Sequence, residues 1–321
     1  MPDVVCLGEI LVDMTPHQGP VGTLYEPNPG GAPANVAVAI SRLGGKAGFI
    51  GSVGKDFFGD LLRRTLETNQ VDTGCVKMTS SAPTTLAFVH LDNRGERSFS
   101  FYRSPGADLF LPWGRSEKAL IDSCRLFHFG SLSMTTSFTR KITTRALSYA
   151  KKQGKLLSFD PNLRPSLWKN LEQARKTILA VLKRVDILKL SEEELFFLSG
   201  ASDFQGGLTW AKNLRLPLVM ITRGGEGVVC LYKGAMLSTG SYQVQVVDTT
   251  GAGDAFVGGF LFRLLQESDV FSLSNERMLD HLRFASAVAA LTVSRRGAIP
   301  ALPSREEVER FLAQYGSQAG V

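Results

Sequence analysis

The chain has 321 residues, 44% of them hydrophobic and 21% charged, which is an ordinary composition for a soluble globular protein of one or two domains. Its net charge of +6 favours anionic ligands, but the basic residues are scattered, so the pattern indicates phosphorylated small molecules and argues against nucleic acid. No apolar run reaches membrane-spanning length and no signal peptide is visible, so we expect a cytoplasmic protein with no membrane partner.

Apolar, strand-like runs alternate along the chain with helix-like stretches. The predicted strands are 4–7, 49–53, 126–129, 156–159, 187–190 and 218–221, and the predicted helices are 34–43, 58–69, 140–152, 171–184, 192–199 and 205–214. This alternation predicts an α/β fold with a mostly parallel sheet and helices on both faces. Ligands bind such sheets at the carboxyl ends of the strands, where Asp160, Ser191, Thr222 and Asp254 fall.

Two stretches interrupt this alternation. Residues 11–28 are polar and rich in Pro and Gly, and residues 84–103 alternate like a strand pair around a turn at 92–95. We predict that they form a small β-sheet lid over the strand ends. The main domain would then comprise 1–10, 29–83 and 104–321. A surface hairpin without a role is the alternative interpretation.

The segment DTTGAGD, which ends at Asp254, follows a strand-like run at 242–247 and leads into an amphipathic helix. The backbone N–H groups of Gly251, Ala252 and Gly253 have no intrahelical partners and lie at the positive end of the helix dipole, so they predict an anion site. A carboxylate is electrostatically costly there. Asp254 is therefore a candidate base that takes a proton from a hydroxyl as the hydroxyl attacks a phosphoryl group. The alternative is an ordinary acid in the first turn of a helix.

Other polar and glycine residues are candidates for substrate contacts. Gly30 and Gly31 let a substrate lie against the backbone, and Asn35 offers hydroxyl groups both a donor and an acceptor. Asp13 follows the first strand and can grip a diol, and Arg164 can stabilise charge on a transferring phosphoryl group. For each of them, an ordinary position in a loop or at a helix start is an equal alternative.

A glycine-rich turn with Thr222, Gly224 and Gly227 follows the strand at 218–221. Such a turn can hold the phosphates or the sugar of a nucleotide, although a tight hairpin is the alternative. The three acids after Ser191 suit a helix start, and one of them can order water around Mg²⁺. No Walker A motif occurs in the chain, so an enzyme that handles phosphate here needs another scaffold.

In this order and at this spacing, the GG…N segment and the DTTGAGD segment resemble the ribokinase family of carbohydrate kinases, also called the phosphofructokinase-B family. The resemblance covers nearly the whole chain, from about residue 4 to about residue 311. It implies a three-layer α/β/α sandwich with a small β-sheet lid. It also implies transfer of the γ-phosphoryl group of ATP to a sugar hydroxyl, with Mg²⁺.

The resemblance assigns roles to the candidate residues. It implies that Asp254 is the base and that the amides of residues 251–253 form the anion hole. The sugar would be bound by Asp13, Gly30, Gly31 and Asn35, and the nucleotide by Ser191, Glu194, Thr222, Gly224, Gly227 and Ser286. Glu194 matches the family's Asn-x-x-Glu motif, whereas Ser191 replaces the Asn and has a shorter reach.

Many family members are activated by a monovalent cation, usually K⁺. The positions that match this cation site are Asp248, Thr250, Thr292, Arg295 and Gly297. The serine ligand of the family falls on Ala301, which has no side-chain oxygen.

The segment FYRSPGAD at 101–108, together with DPNLR and LKLSEEEL, is similar to bacterial fructokinases and implies D-fructose as the sugar. The side chains of Arg97, Phe101, Tyr102 and Arg103 would then contact the sugar from the lid. A 2-keto-3-deoxygluconate kinase, an aminoimidazole riboside or ribose kinase, and a non-catalytic binding protein remain alternatives. A dinucleotide-dependent oxidoreductase would carry a glycine fingerprint after its first strand, and this chain lacks that motif there. An open lid edge that pairs with a second copy would give a homodimer.

Overall fold

The computed structural model describes residues 1–20, 22–91 and 97–318, and the predicted turn at 92–95 lies outside these ranges. The strands are β1 Val4–Leu7, β2 Leu11–Gly19, β3 Gly22–Gly30, β4 Ala47–Gly54, β5 Asp72–Thr79, β6 Leu86–Leu91, β7 Arg97–Tyr102, β8 Leu126–Gly130, β9 Leu156–Asp160, β10 Ile187–Ser191, β11 Leu218–Thr222, β12 Val228–Tyr232 and β13 Ala235–Thr239. The α-helices are α1 Ala32–Arg42, α2 Phe57–Thr68, α3 Arg115–Ser123, α4 Ser137–Lys152, α5 Leu171–Leu182, α6 Glu192–Ser199, α7 Phe204–Asn213, α8 Ala252–Leu265, α9 Asn275–Val293 and α10 Arg305–Gln318. Within the described ranges, no helix combines the length and the apolar character needed to cross a bilayer.

The larger sheet has the strand order β13-β12-β11-β10-β9-β8-β1-β4-β5. Its strands pair in parallel from β11 to β5, while β12 and β13 form an antiparallel edge. Val4 and Cys6 of β1 pack into the hydrophobic core on one face, and Val5 and Leu7 pack into the core on the other face. Both faces are therefore covered, which explains why these strands are continuously apolar in the sequence.

The run at 242–247, which was expected to be a strand, is not one. It belongs to the connection between β13 and α8, and the amides of Val247 and Asp248 donate to the carbonyl of Val293 at distances of 2.8 and 3.1 Å. Val246 and Val247 remain 60% and 46% exposed. The chain crosses here from the sheet edge to the start of α8, so its backbone bonds to the end of α9 instead of to a strand.

The second, smaller sheet has the order β3-β2-β6-β7 and is built from the segments on either side of α1 to β5. Arg103, which follows β7, fixes this sheet to the rest of the protein. Its Nε and Nη2 atoms lie 2.7 and 2.6 Å from Oδ2 of Asp108, and its other donors reach the Leu132 carbonyl and the Thr135 hydroxyl. Because Arg103 and Asp108 are only 8% and 3% exposed, this ion pair is buried and sets where the small sheet sits.

Candidate active site

The carboxyl ends of three parallel strands meet at one edge of the large sheet. Asp160 ends β9, and Ser191 and Thr222 end β10 and β11 opposite each other in the register. Helix α8 also begins at this edge, with Gly251 as its N-cap. The φ angle of Gly251 is +77°, a left-handed conformation that glycine adopts without strain.

Asp254, in the first turn of α8, is a buried carboxylate at this edge. It is 6% exposed, and its two oxygens accept hydrogen bonds from Nδ2 of Asn35 at 2.7 Å and from Nδ2 of Asn162 at 2.9 Å. Burial, and secondly the charge of Asp160, raise the pKa of Asp254 to about 6. Asp254 is therefore fixed in orientation and is a stronger base than an ordinary aspartate.

A cluster of buried charges lies beside Asp254. Nζ of Lys189, on β10, is 3.1 Å from Oδ2 of Asp160, and both side chains are more than nine-tenths buried. Burial favours the neutral form of Lys189, but the carboxylates of Asp160 and Glu194 outweigh it and raise the lysine pKa. The lysine therefore supplies a positive charge within reach of the α8 start, where a Cβ placed on Gly253 would lie 3.0 Å from Nζ.

Ser191 and Glu194 form a capping box at the start of α6. The Glu194 amide donates to the Ser191 hydroxyl at 3.2 Å, and Oε2 of Glu194 accepts from the Ser191 amide at 2.8 Å. Oε1 of Glu194 accepts from the amide of Leu163 at 2.8 Å. Burial, and secondly Asp160, raise the pKa of Glu194. These contacts hold the loop after β9 against α6, so both residues have a structural task besides any contact with a ligand.

Two adjoining cavities open along this edge. The first has a volume of about 830 Å³, and the predicted residues in its wall are Arg164, Ser191, Glu194, Thr222, Thr250, Gly251, Ala252, Gly253 and Asp254. The second has a volume of about 360 Å³, and the predicted residues in its wall are Thr222, Gly224, Gly227 and Ser286. Because Thr222, Thr249, Ala252 and Gly253 line both cavities, the two are neighbours and together can accommodate a nucleotide.

A third, narrow cavity of about 60 Å³ lies on the other side of Asp254. The predicted residues in its wall are Asp13, Gly31, Asn35, Phe101, Arg164, Thr250, Gly251 and Asp254. Gly30 lies directly behind Asp13, since a Cβ at this position would come within 2.3 Å of Oδ2 of Asp13. Asp254, Arg164, Thr250 and Gly251 line both this cavity and the largest one, so they stand between two binding spaces.

Two of the four expected lid contacts, Tyr102 and Arg103, do not line this cavity. Phe101 lines it, but Tyr102 follows on the same strand and points to the opposite face, where it is 66% exposed and packs edge-on against Phe88 at 5.2 Å. Arg103 is engaged by Asp108 and does not line the cavity. The side chain of Arg97 lies outside the described part of the chain. Strand alternation and the buried ion pair therefore correct the expectation for Tyr102 and Arg103.

The residues expected around a monovalent cation are brought together by their backbones. Asp248 is 4% exposed, and its two oxygens accept hydrogen bonds from the amides of Thr250 at 2.7 Å and Gly297 at 3.0 Å. The carbonyl of Thr292 accepts the amide of Arg295 at 3.2 Å, while the Arg295 side chain pairs with a glutamate of α10. The buried carboxylate and the neighbouring carbonyls are oxygen donors of the kind that hard cations prefer.

Three residues of the site had not been expected: Glu9, Asn162 and Lys189. Glu9 lines the narrow cavity. Asn162 donates a hydrogen bond to Asp254, and Lys189 pairs with Asp160 beside it. The sequence carries one visible signal for Lys189, which is a charged residue inside the apolar run of β10. Asn162 lies in the DPNLR segment, whose similarity to fructokinases was its only signal, whereas Glu9 sits in an ordinary loop after a strand and has no comparable signal.

Residues 1–305 match the family described as pfkB family carbohydrate kinase. The chain belongs to this family. Fructokinase-1 of Oryza sativa subsp. japonica is 42% identical over 317 residues, which cover 96% of this chain and 97% of that protein.

Solved structures agree with this membership. Fructokinase with bound ATP from Xylella fastidiosa superposes with a TM-score of 0.91 at 38% identity, covering 98% of this chain and 100% of that one. A fructokinase double mutant from Vibrio cholerae O395, in fructose, ADP and potassium ion bound form, gives a TM-score of 0.88 at 36% identity, covering 97% and 98% of the two chains. The expected ribokinase-like α/β fold is thus confirmed, and the chain is an ATP-dependent sugar kinase.

Proposed function

We propose that this kinase transfers the γ-phosphoryl group of ATP to D-fructose and releases fructose 6-phosphate. The observation that carries the proposal is the position of Asp254, which lines both the large cavity and the narrow one. A nucleotide in the large cavity and a sugar in the narrow one would meet at this carboxylate. The similarity to fructokinases over nearly the whole chain supports fructose as the sugar.

Asp254 acts as the base in this proposal. The sugar hydroxyl gives its proton to Asp254 while its oxygen forms a bond to the γ-phosphorus, and the bond between that phosphorus and the oxygen of ADP breaks. The amides of Asn35 and Asn162 hold the carboxylate in place during this step. With a pKa of about 6, Asp254 is ionised at neutral pH and can accept the proton.

Positive charges and amides at the α8 start stabilise the phosphoryl group. The amide of Ala252 donates to the Thr249 carbonyl at 3.3 Å, so the amides of Gly251 and Gly253 are the better candidates for an anion hole. Arg164 and Lys189 add positive charge, since both act to lower the pKa of Asp254. This arrangement supports the expected mechanism, in which charge stabilisation and positioning dominate.

We propose that Mg²⁺ enters with the nucleotide and that K⁺ lies near Asp248. The described chain has no cluster of three or more His, Cys, Asp or Glu side chains suited to a metal ion. Both oxygens of Glu194 accept backbone amides and keep a second lone pair, so Glu194 would order water around Mg²⁺, which would be held mainly by phosphate oxygens. These ions would neutralise phosphate charge. The small sheet, β3-β2-β6-β7, would serve as a lid that covers the sugar.

The test is ADP formation with Mg²⁺ and K⁺ across a panel of fructose, ribose, 2-keto-3-deoxygluconate, aminoimidazole riboside and fructose 6-phosphate. We expect fructose to give the highest kcat/KM. A preference for another sugar would retain the kinase chemistry of Asp254 and reject fructose as the substrate. Omitting K⁺ should reduce the rate, and an equal rate without it would reject the proposed cation.

A further inference from the structure

Glu9 is a buried acid whose contacts are incomplete. It is 3% exposed and forms part of the wall of the narrow cavity, together with Asp13 and Asn35. Its Oε1 accepts a hydrogen bond from the amide of Ala32 at 3.2 Å, at the start of α1. Its Oε2 is buried and has no hydrogen-bond partner among the described residues.

A second oxygen in the same wall has the same deficit. Nδ2 of Asn35 donates to Asp254, but Oδ1 of Asn35 is buried and has no partner in the described ranges. Buried oxygens are almost always hydrogen-bonded in folded proteins, and each exception needs an explanation. Two unpartnered acceptors in one cavity indicate a ligand that brings two hydrogen-bond donors.

The charges around Glu9 fit a group that a ligand is meant to satisfy. Burial, and then the carboxylates of Asp108 and Asp254, raise the pKa of Glu9 to about 7, while its own backbone amide and Arg103 act in the opposite direction. Asp13 and Asp254 are the other acids in the wall of this cavity. Among the described residues Glu9 forms no ion pair, since the nearby Arg103 is paired with Asp108, and a hydroxyl that donates to its carboxylate would stabilise the ionised form.

We propose that Glu9 determines the sugar specificity of this kinase, with its Oε2 accepting a hydrogen bond from one hydroxyl of the ketohexose while Oδ1 of Asn35 accepts one from another. This inference rests on the proposed function of the site and adds a contact that selects polyhydroxylated sugars. A sugar without the matching hydroxyl would leave the buried carboxylate unpaired. Sites of this kind reject such analogues strongly.

The competing role is purely structural, since Glu9 also bonds to the start of α1. The variant Glu9→Gln separates the two roles. Its amide oxygen can still accept from Ala32, so the helix contact is kept, while the unpartnered charged acceptor Oε2 is replaced by a donor. A structural role predicts either little change or a loss of stability with equal effects on fructose and ATP, whereas a sugar contact predicts a selective loss toward fructose.

The experiment is steady-state kinetics of Glu9→Gln with fructose and with its monodeoxy analogues. We expect the fructose KM to rise about 10- to 100-fold, with kcat changed by less than about fivefold and the ATP KM unchanged. With the wild type, one monodeoxy analogue should show a KM raised by about as much as the fructose KM is raised in Glu9→Gln. The KM of that analogue should rise little further in the variant. Glu117→Gln is the matched control, because Glu117 is a buried acid, 8% exposed, that lines none of the three cavities.

Two results would overturn the inference. One is a fructose KM within twofold of the wild type in Glu9→Gln. The other is a fall in melting temperature with equal losses toward fructose and ATP, which would indicate a structural role. If the variant does not fold, the wild type decides, since binding of every monodeoxy analogue within twofold of fructose would also reject the contact. If the wild type prefers another sugar, fructose is rejected as the substrate. The monodeoxy analogues of the preferred sugar then test the role of Glu9.

Discussion

Replacing Asp254 by Asn tests the candidate base with the smallest change in shape. The carboxylate accepts one bond from Asn35 and one from Asn162, whereas the new amide would have only one acceptor oxygen and would turn its NH₂ group toward one of these donors. One of the two hydrogen bonds is therefore lost. The proton acceptor itself is lost completely.

The expected loss in rate follows from the role of a general base. Such a base contributes a factor of about 10² to 10⁴, so we expect kcat to fall by that amount. The sugar cavity keeps its other walls, so the fructose KM should change by less than about tenfold. The assay is coupled ADP formation at saturating ATP.

The pH dependence gives a second test of the same variant. Since the pKa of Asp254 is raised to about 6, kcat/KM of the wild type should rise with pH up to about 6 and level off above it. The residual activity of Asp254→Asn should lack this rise. A control variant is Asp186→Asn, because Asp186 accepts the amide of Leu157 at 2.9 Å and lines none of the three cavities, so its profile should match the wild type.

The same pKa predicts the sign of the effect on stability. The folded pKa of about 6 lies above the ordinary value of 3.8, so ionised Asp254 destabilises the fold, and stability is lost as pH rises through this window. Above this window, removing the charge of Asp254 should raise the free energy of unfolding by about 3 kcal/mol. The hydrogen bond lost in Asp254→Asn reduces this gain by about 1 kcal/mol. At pH 7.5 the variant should therefore melt no lower than the wild type.

A kcat of Asp254→Asn within tenfold of the wild type, or a rise in kcat/KM near pH 6 that persists in the variant, would refute the assignment of Asp254 as the base.

Three further variants test the surroundings of the base. Arg103→Ala leaves the buried carboxylate of Asp108 without its partner and should lower the free energy of unfolding by about 3 to 5 kcal/mol in urea titrations, and a loss below about 1 kcal/mol would contradict the anchoring role. Lys189→Met removes the positive charge next to Asp160, so the acid limb of the kcat/KM profile should move to higher pH, and an unmoved limb would count against this coupling. Gly251→Ala forces a side chain into a φ of +77° and should cost about 1 to 2 kcal/mol of stability while lowering kcat/KM for ATP, and wild-type values of both would contradict a constrained α8 start.

Most of the fold could be predicted because the sheet is buried on both faces. Strands such as β8 and β10 are then short apolar runs between helical patterns, and these runs are visible without knowledge of their partners. The run at 242–247 shows the limit of this reasoning. Alternation describes side chains, whereas a strand also needs a backbone partner, and the partner of Val247 is the end of α9.

The site could be predicted only where a local motif carries its own chemistry. The DTTGAGD segment and the GG…N segment do so, and Asp254 and Asn35 are indeed in contact across 219 residues of sequence. Tyr102 was misplaced because a one-residue step along β7 changes the face of the sheet. Asn162 lies in the DPNLR segment, but its contact with Asp254 could not be foreseen, because the contact spans 92 residues and depends on the order of the strands.

The positive charges at this edge of the sheet explain how a base can remain ionised beside a nucleotide. The phosphates of ATP bring several negative charges to the α8 start, and these charges would raise the pKa of Asp254 further above 6 and protonate it. Lys189, Arg164 and the positive end of the α8 dipole lie on the same side and oppose this shift. Lys189 is itself kept charged by Asp160, so the carboxylate that raises the pKa of Asp254 also secures the lysine that opposes this rise when ATP is bound. Loss of Lys189 should therefore affect the pH profile more strongly at saturating ATP than at low ATP.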